Sequence, residues 1–302
     1  MDVLVFGAGS LGSLVGGLLA RAHDVTLVGR EPHVSAVRES GLRVTGEYEF
    51  TVEPAARTDA PASADLALVT VKAFDTDDAA SALADADLRV ACSLQNGLGN
   101  EERLADFLEC PVLAGTSTYG ARLTEPGVVA CTGVGEIAVG PPEGSEQATA
   151  GAAALADEVG AAFEAADLDV TVADDMSRRR WEKLAVNAGI NAPTALARIE
   201  NGALTDGPGS SVARAAARET ARVAREQGVD IPDDRAVDLV ETVATETAAN
   251  HSSMLQDIER ERRTEIDAIN GAVVDRATEP VPVNETLARL VRAWERGRGL
   301  RE

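Results

Sequence analysis

Residues 3–13 read VLVFGAGSLGS, an apolar run that ends on Gly7 and meets glycine again at Gly9 and Gly12. A short apolar run bounded by turn residues reads as a buried strand. Residues 2–6 fill that role, and helix-forming text from Gly12 to Ala22 follows directly. The three glycines meet three needs: a tight turn, close approach of backbone to a pyrophosphate, and close packing of helix on strand. The helix N-terminus then offers N–H groups and a positive dipole end to phosphate oxygens. A second apolar run, DVTLVGR from Asp24 to Arg30, completes β-α-β over about thirty residues, the length of one mononucleotide-binding unit. The turn Gly7, Ala8, Gly9, Ser10, Leu11 and Gly12 is therefore assigned to a dinucleotide, with a Gly-rich turn that holds no ligand as the alternative.

The end of the second run bears on which dinucleotide. Folds selective for NAD place an Asp or Glu there to hold the ribose 2′-hydroxyl. This chain reads VGRE, and Arg30 is placed to pair a 2′-phosphate with its planar fork of donors. NADP(H) is the expected cofactor. Glu31 keeps the other choice open, since its carboxylate could hold an unphosphorylated ribose.

Further strand candidates are DLALVTVK ending at Lys72, RVACSLQNG around Cys92 and PVLAGTSTYG from Pro111. GVVACTG and GEIAVG read as a hairpin or as edge strands. Strands separated by helical or loop text predict a mostly parallel sheet covered by helices on both faces. PPEGSEQATAGAAALADEV is expected to be a loop leading into the last helix of this domain. From about Met176 the strand-like runs stop, and Ala, Glu and Arg recur at helical spacing. A chain of 302 residues is long enough for two cores. The predicted fold is α/β: a Rossmann-type N-terminal domain over residues 1–170, then an all-α C-terminal domain over 171–302, with the composition changing between 168 and 176.

With 50 acidic against 28 basic residues, the net charge of −22 repels phosphate backbones and anionic membrane surfaces, which argues against nucleic acid or membrane partners. Acidic residues spread along the whole chain while lysine is nearly absent, a pattern that suits a surface adapted to high salt. No apolar run reaches the ~18 residues that a membrane span needs. Cys92, Cys110 and Cys131 show no CxxC spacing and no signal segment precedes the first strand, so a cytoplasmic protein without a metal centre is expected.

In RRRWEKLAVNAGINAPTAL, Lys183, Asn187 and Asn191 recur at four-residue intervals. On a helix these positions drift by about 40° per step and form one stripe roughly 12 Å long. Leu184, Ala185, Val186, Ala188 and Ile190 surround it, so the stripe is expected to face a protected cleft. The alternative is a snorkelling lysine with two asparagines bonded to loops. A second cluster, NHSSMLQDIERERRTEIDAINGAVV, spans Asn250 to Val274. In one straight helix Ser253 and Glu265 would sit about 18 Å apart, too far to share a small substrate. Thr264 with Asp267 three residues on resembles a capping box, which predicts a break near Arg263 and Glu265 in the first turn of a new helix. Trp181 reads as a packing anchor and His251, lacking a visible partner, as structural or solvent-facing.

GAGSLG, the lysine of TVKAFDT, LQNGLGNEE, WEKLAVNAGINAPTAL, the NG at Asn201 and SSMLQDIERERRTEIDAINGAVV together resemble the ketopantoate reductase (2-dehydropantoate 2-reductase) family over nearly the whole chain. The resemblance implies a Rossmann domain followed by a helical one, with the active site in the cleft between them. It implies NADPH-dependent reduction of ketopantoate, with Lys183 as general acid and Glu265 as a second catalytic residue that helps hold ribose and substrate. Asn187, Asn191, Asn201, Asn250 and Ser253 would bind the substrate, and Asn96 both substrate and nicotinamide ribose. Lys72 and the backbone at Ala121 would contact the cofactor. Taken alone, Lys72 is a charged strand end and Asn96-Gly97 a turn dipeptide. Ala192 before the proline departs from the family pattern without touching a proposed contact. The ammonium of Lys183 would need its pKa lowered, and burial beside cations such as Lys72 or Arg178 to Arg180 is the expected means. Another NADP-dependent 2-oxo or 3-hydroxy acid oxidoreductase and a non-catalytic NADP(H) sensor are the competing readings, and a homodimer is allowed.

Overall fold

The computed structural model describes residues 1–142 and 150–301. The loop expected ahead of the last helix of the first domain falls mostly on 143–149, outside the described residues. The chain divides into two compact units, Met1–Gln95 with Gly99–Met176, and Asn96–Leu98 with Ser177–Glu302.

The first unit contains the strands β1 (Asp2–Phe6), β2 (Asp24–Val28), β3 (Leu42–Gly46), β4 (Phe50–Val52), β5 (Ala55–Arg57) and β6 (Ser63–Val69). It continues with β7 (Asp87–Ser93), β8 (Val112–Ser117), β9 (Gly120–Glu125), β10 (Val128–Gly133), β11 (Ile137–Gly140) and β12 (Val170–Val172). Its helices are α1 (Ser10–Leu19), α2 (His33–Ser40), α3 (Thr76–Leu83), α4 (Asn100–Ala105) and α5 (Ala150–Ala165). The main sheet runs β12-β11-β8-β7-β6-β1-β2-β5, parallel throughout except where β11 meets β8. Successive residues of a strand face opposite sides. Accordingly Val3 and Val5 pack with Leu14, Val15 and Leu18 of α1, while Leu4 packs with Ala79, Ala80 and Leu83 of α3. Burial on both faces is why β1 reads as an unbroken apolar run.

A second sheet, β4-β3-β10-β9, was not visible in the sequence. It corrects one expectation. GVVACTG and GEIAVG do not form a hairpin with each other: β10 pairs antiparallel with β9 and parallel with β3, whereas β11 joins the main sheet between β8 and β12. The hairpin lies one strand earlier, around Gly127, whose φ of +80° suits a glycine at a tight turn. Its anchor is His33, 5% exposed, whose Nδ1 accepts from the Gly127 N–H at 3.0 Å while Nε2 lies 3.0 Å from Ser13 Oγ. An imidazole accepting at Nδ1 carries its proton on Nε2, so His33 is neutral, and burial pulls its pKa down.

The second unit holds α6 (Met176–Ala197, from Ser177 on), α7 (Gly207–Glu226), α8 (Asp233–Glu246), α9 (Ser253–Glu259), α10 (Ala272–Arg276) and α11 (Pro282–Gly297). It has no strand among the described residues. Ala213, Ala216, Ala217, Ala221 and Ala224 of α7 are buried, and these small side chains let its neighbours approach closely. Trp181 is 5% exposed and belongs to this core. The chain does break between α9 and α10: Glu261 adopts φ +50°, and the helix resumes as a π-turn at Asp267–Gly271. The expected capping box does not form. The Thr264 N–H is taken by Glu295 of α11 at 2.8 Å, and Asp267 pairs with Arg292 instead. A buried carboxylate from a distant helix outcompetes the local one. No described helix is long and apolar enough to cross a membrane.

Replacing His33 with alanine should strand the buried Gly127 N–H and lower stability by about 1–3 kcal/mol in urea unfolding. Because the native imidazole titrates below its unfolded value, wild-type stability contributed by His33 should be present above the ordinary histidine pKa and fall as pH drops through it.

Candidate active site

The carboxyl ends of the neighbouring parallel strands β6, β1 and β2 carry Lys72, the glycine turn and Arg30. In open parallel sheets ligands bind at this edge. Gly7 has φ +114°, and a Cβ there would lie 2.6 Å from the backbone nitrogen of Val71. A Cβ on Gly12 would fall 2.3 Å from the Gly7 carbonyl oxygen and 2.5 Å from Thr70 Oγ1. Thr70 in turn donates to the Gly7 carbonyl at 2.9 Å and fixes the turn. At Gly9 the nearest atom to such a Cβ is 3.9 Å away, so the turn leaves room there for a group pressed against the backbone. No side chain caps α1 and no acidic residue occupies its first turn, which leaves its first N–H groups available to an anion. These features fit a dinucleotide pyrophosphate. Ser10 Oγ accepts from the N–H of Leu123 at 3.0 Å, tying the turn to β9, the strand of Ala121.

The Arg30 side chain is 87% exposed and its Nη2 lies 3.0 Å from Asp75 Oδ2. Glu31 is occupied otherwise: hydrogen bonds from the Ser35 side chain and from the Ser35 N–H, the latter at 3.1 Å, together with Arg38 hold its carboxyl pKa below the usual range. Lys72 precedes a 3₁₀ turn at Ala73–Asp75. Gln95 Nε2 donates to Thr76 Oγ1 at 2.8 Å and to the Val71 carbonyl at 3.2 Å, and Thr76 donates to Asn100 Oδ1 at 3.0 Å. This buried knot shapes the same strand ends. Sequence reading missed it, although the glutamine of LQNG was the available signal.

In the second unit, Lys183 and Asn187 are half-buried along α6 and Asn191 is 5% exposed. Asn191 Nδ2 lies 3.5 Å from Ser253 Oγ. The two serines of SSM divide their work: buried Ser252 caps α9 through the Leu255 N–H and accepts from Thr194, while Ser253 is exposed. Asn201 donates to Thr247 at 2.9 Å, and its backbone N–H donates to the Asn250 carbonyl at 3.0 Å. Its Oδ1 is buried without a hydrogen-bond partner among the described residues. An orphaned buried acceptor calls for a partner that the protein atoms do not supply, a water or a ligand hydroxyl.

Asn96 belongs to this unit and donates to Glu265 Oε2 at 3.0 Å. Gly97, at φ +90°, packs so closely on the π-turn that a Cβ would lie 2.6 Å from the Ala268 carbonyl oxygen. Asn270 of that turn donates to the Ala188 carbonyl at 3.1 Å and so fastens it to α6. Burial lowers the pKa of Lys183 to about 8, and the nearby carboxylate of Glu265 opposes the shift. This corrects the expectation of neighbouring cations. Arg178 pairs with Glu182, and the charge that acts on Lys183 is negative. His251 is exposed and lies 3.1 Å from Glu259, off this group.

The family model described as ketopantoate reductase PanE/ApbA matches residues 3–144, and the model of its C-terminal domain matches residues 175–295. The chain is 44% identical to a 2-dehydropantoate 2-reductase of Halobacterium salinarum, covering 98% of this chain and 99% of that one. The chain belongs to the ketopantoate reductase family. It is also 42% identical to the 2-dehydropantoate 2-reductase of Archaeoglobus fulgidus, over 98% of both chains. The crystal structure of a PanE/ApbA family ketopantoate reductase from Ralstonia eutropha superposes with a TM-score of 0.87 at 34% identity, covering 99% of this chain and 100% of that one. Ketopantoate reductases thus share both the mostly parallel sheet and the helical second unit seen here.

Lysine occurs at only two positions, Lys72 and Lys183, so ¹³C-labelled lysine gives two side-chain signals to titrate. Glu265→Gln removes the anion that holds the Lys183 proton on, and the Lys183 midpoint should fall below about 8, by roughly one pH unit.

Proposed function

We propose that this chain reduces 2-dehydropantoate to (R)-pantoate with NADPH, a step on the way to pantothenate and coenzyme A, and that Lys183 is the general acid. The observation that carries this reading is a half-buried ammonium with its pKa near 8, set beside Glu265 and on one helix with Asn187 and Asn191. A dinucleotide sensor has no use for a proton donor tuned in this way.

The glycine turn with the first N–H groups of α1 would hold the pyrophosphate, Arg30 the 2′-phosphate, and Lys72, Ala121 and Asn96 further parts of the cofactor. When bound, the reduced nicotinamide supplies the hydride. Charge then builds on the carbonyl oxygen, and the Lys183 ammonium at hydrogen-bond range, roughly 2.7–3.1 Å, stabilises it and delivers the proton. A pKa near 8 keeps the ammonium protonated at neutral pH while easing its release of the proton. Asn187, Asn191, Asn201, Asn250 and Ser253 would orient the substrate carboxylate and hydroxyl, with the orphaned Oδ1 of Asn201 accepting from the hydroxyl. Glu265 keeps Asn96 oriented and Lys183 charged. A cytoplasmic setting goes with this role, and a homodimer is compatible with it.

Loss of nicotinamide absorbance in the presence of ketopantoate and other 2-oxo acids tests the substrate. Lys183→Ala should lose about 10²- to 10³-fold in kcat. Because the acid must be protonated, kcat/KM for reduction should be level at neutral pH and fall as pH rises through about 8, while pantoate oxidation rises over the same interval. No ketopantoate-dependent turnover by the wild type would overturn the substrate, and full turnover by the variant would overturn the role of Lys183.

The cofactor is tested separately. Arg30→Ala should reduce the preference for NADPH over NADH by roughly tenfold or more. Asp75→Asn, which removes the carboxylate now paired with Arg30, should tighten NADPH. A wild type that prefers NADH refutes the assignment of Arg30.

A further inference from the structure

The segment between α9 and the π-turn has left the helical path, yet it carries Glu265. Two of its residues and the first of the π-turn, spaced by three, meet three residues of the last helix and its cap, also spaced by three and running the other way. Glu261 pairs with Arg298, Thr264 with Glu295, and Asp267 with Arg292 at 2.8 Å. The middle rung is the most enclosed: Glu295 is fully buried, and its Oε1 accepts both the backbone N–H of Thr264 at 2.8 Å and its hydroxyl at 2.7 Å. Arg301 closes the ladder, donating to Glu295 Oε2 at 2.8 Å and to Asp267. Arg263 lies 3.8 Å from Asp267.

Burying a carboxylate is costly unless its oxygens are fully bonded, and a non-glycine residue at φ +50°, as at Glu261, persists only where its surroundings hold it. What the ladder holds in place is the backbone on either side of Glu265. Thr264 precedes it, its hydroxyl accepting from the Ile266 N–H at 3.2 Å, and the Glu265 carbonyl accepts from Ala268 and Ile269 as the π-turn begins. The Glu265 carboxylate accepts from Asn96 and acts on the charge of Lys183.

We propose that this polar ladder is a positioning device for Glu265, and that Glu295 and Thr264 act on Lys183 through it. Glu295 is a positioning residue: its bonded partners are Thr264 and Arg301. The catalytic consequence rests on the function proposed above, but the positioning itself is read on Lys183 without any substrate.

With ¹³C-lysine in the full chain, and Lys72→Arg used to assign the two signals, the Lys183 midpoint is measured for wild type, Glu295→Ala, Thr264→Ala and Thr264→Ser. Loosening Glu265 withdraws the anion, so Glu295→Ala and Thr264→Ala should lower the midpoint by about half a pH unit or more, and Thr264→Ser should restore it. In a Glu265→Gln background Thr264→Ala should produce no further drop, because the two changes act through one contact. If Glu295→Ala does not fold, Thr264→Ala, which keeps the backbone bond to Glu295, decides alone. An unchanged midpoint in folded Thr264→Ala overturns the proposal, and so does a drop of equal size in the Glu265→Gln background, which would mean general loosening. A midpoint that moves as expected in a chain without ketopantoate turnover leaves the positioning intact and rejects only the proposed substrate.

Discussion

In the second unit an ammonium taken partly out of water lies under the influence of the Glu265 carboxylate. Burial favours the neutral amine, and Glu265 opposes it, so the Lys183 proton is held with a pKa near 8. Neither influence is useful alone. Without burial the ammonium would titrate in the ordinary lysine range, and without the carboxylate its midpoint would fall further. The balance depends on where the Glu265 carboxylate sits, and much of the surrounding structure bears on that: the break after α9, the π-turn, Asn96 from a distant part of the chain and the buried Glu295.

The first unit is organised by exclusion. Gly7 and Gly12 are required because backbone and Thr70 occupy the space that a side chain would need, while Gly9 faces open space. The same turn therefore packs tightly where it meets the protein and stays bare where a ligand would press against it. Its surroundings are stitched by side-chain hydrogen bonds: Thr70 on the Gly7 carbonyl, Ser10 on β9, and His33 between α1 and the β9–β10 hairpin.

Much of this was legible in the residues alone. The unbroken apolar run of β1 signalled a strand buried on both faces, and the glycine spacing located the dinucleotide turn. The i, i+4, i+8 stripe identified Lys183, Asn187 and Asn191 as one surface of a helix, and the length of the Asn250–Val274 stretch required a break. The second sheet was not legible, because β3 and β4 are only five and three residues long and carry no strong apolar signal. Strand partners were equally hidden. Adjacent in sequence, β10 and β11 join different sheets.

What the sequence determined by itself were features set by local sterics and periodicity: where glycine is compulsory, which faces of strands and helices are apolar, and which polar side chains share a helix face. Tertiary structure alone decided which charges meet. The neighbour of Lys183 is an anion rather than the expected cations, and the Thr264 N–H goes to Glu295 instead of Asp267. These pairings join residues dozens of positions apart. Their energies depend on burial and on distances of a few ångströms, and neither quantity exists until the chain has folded.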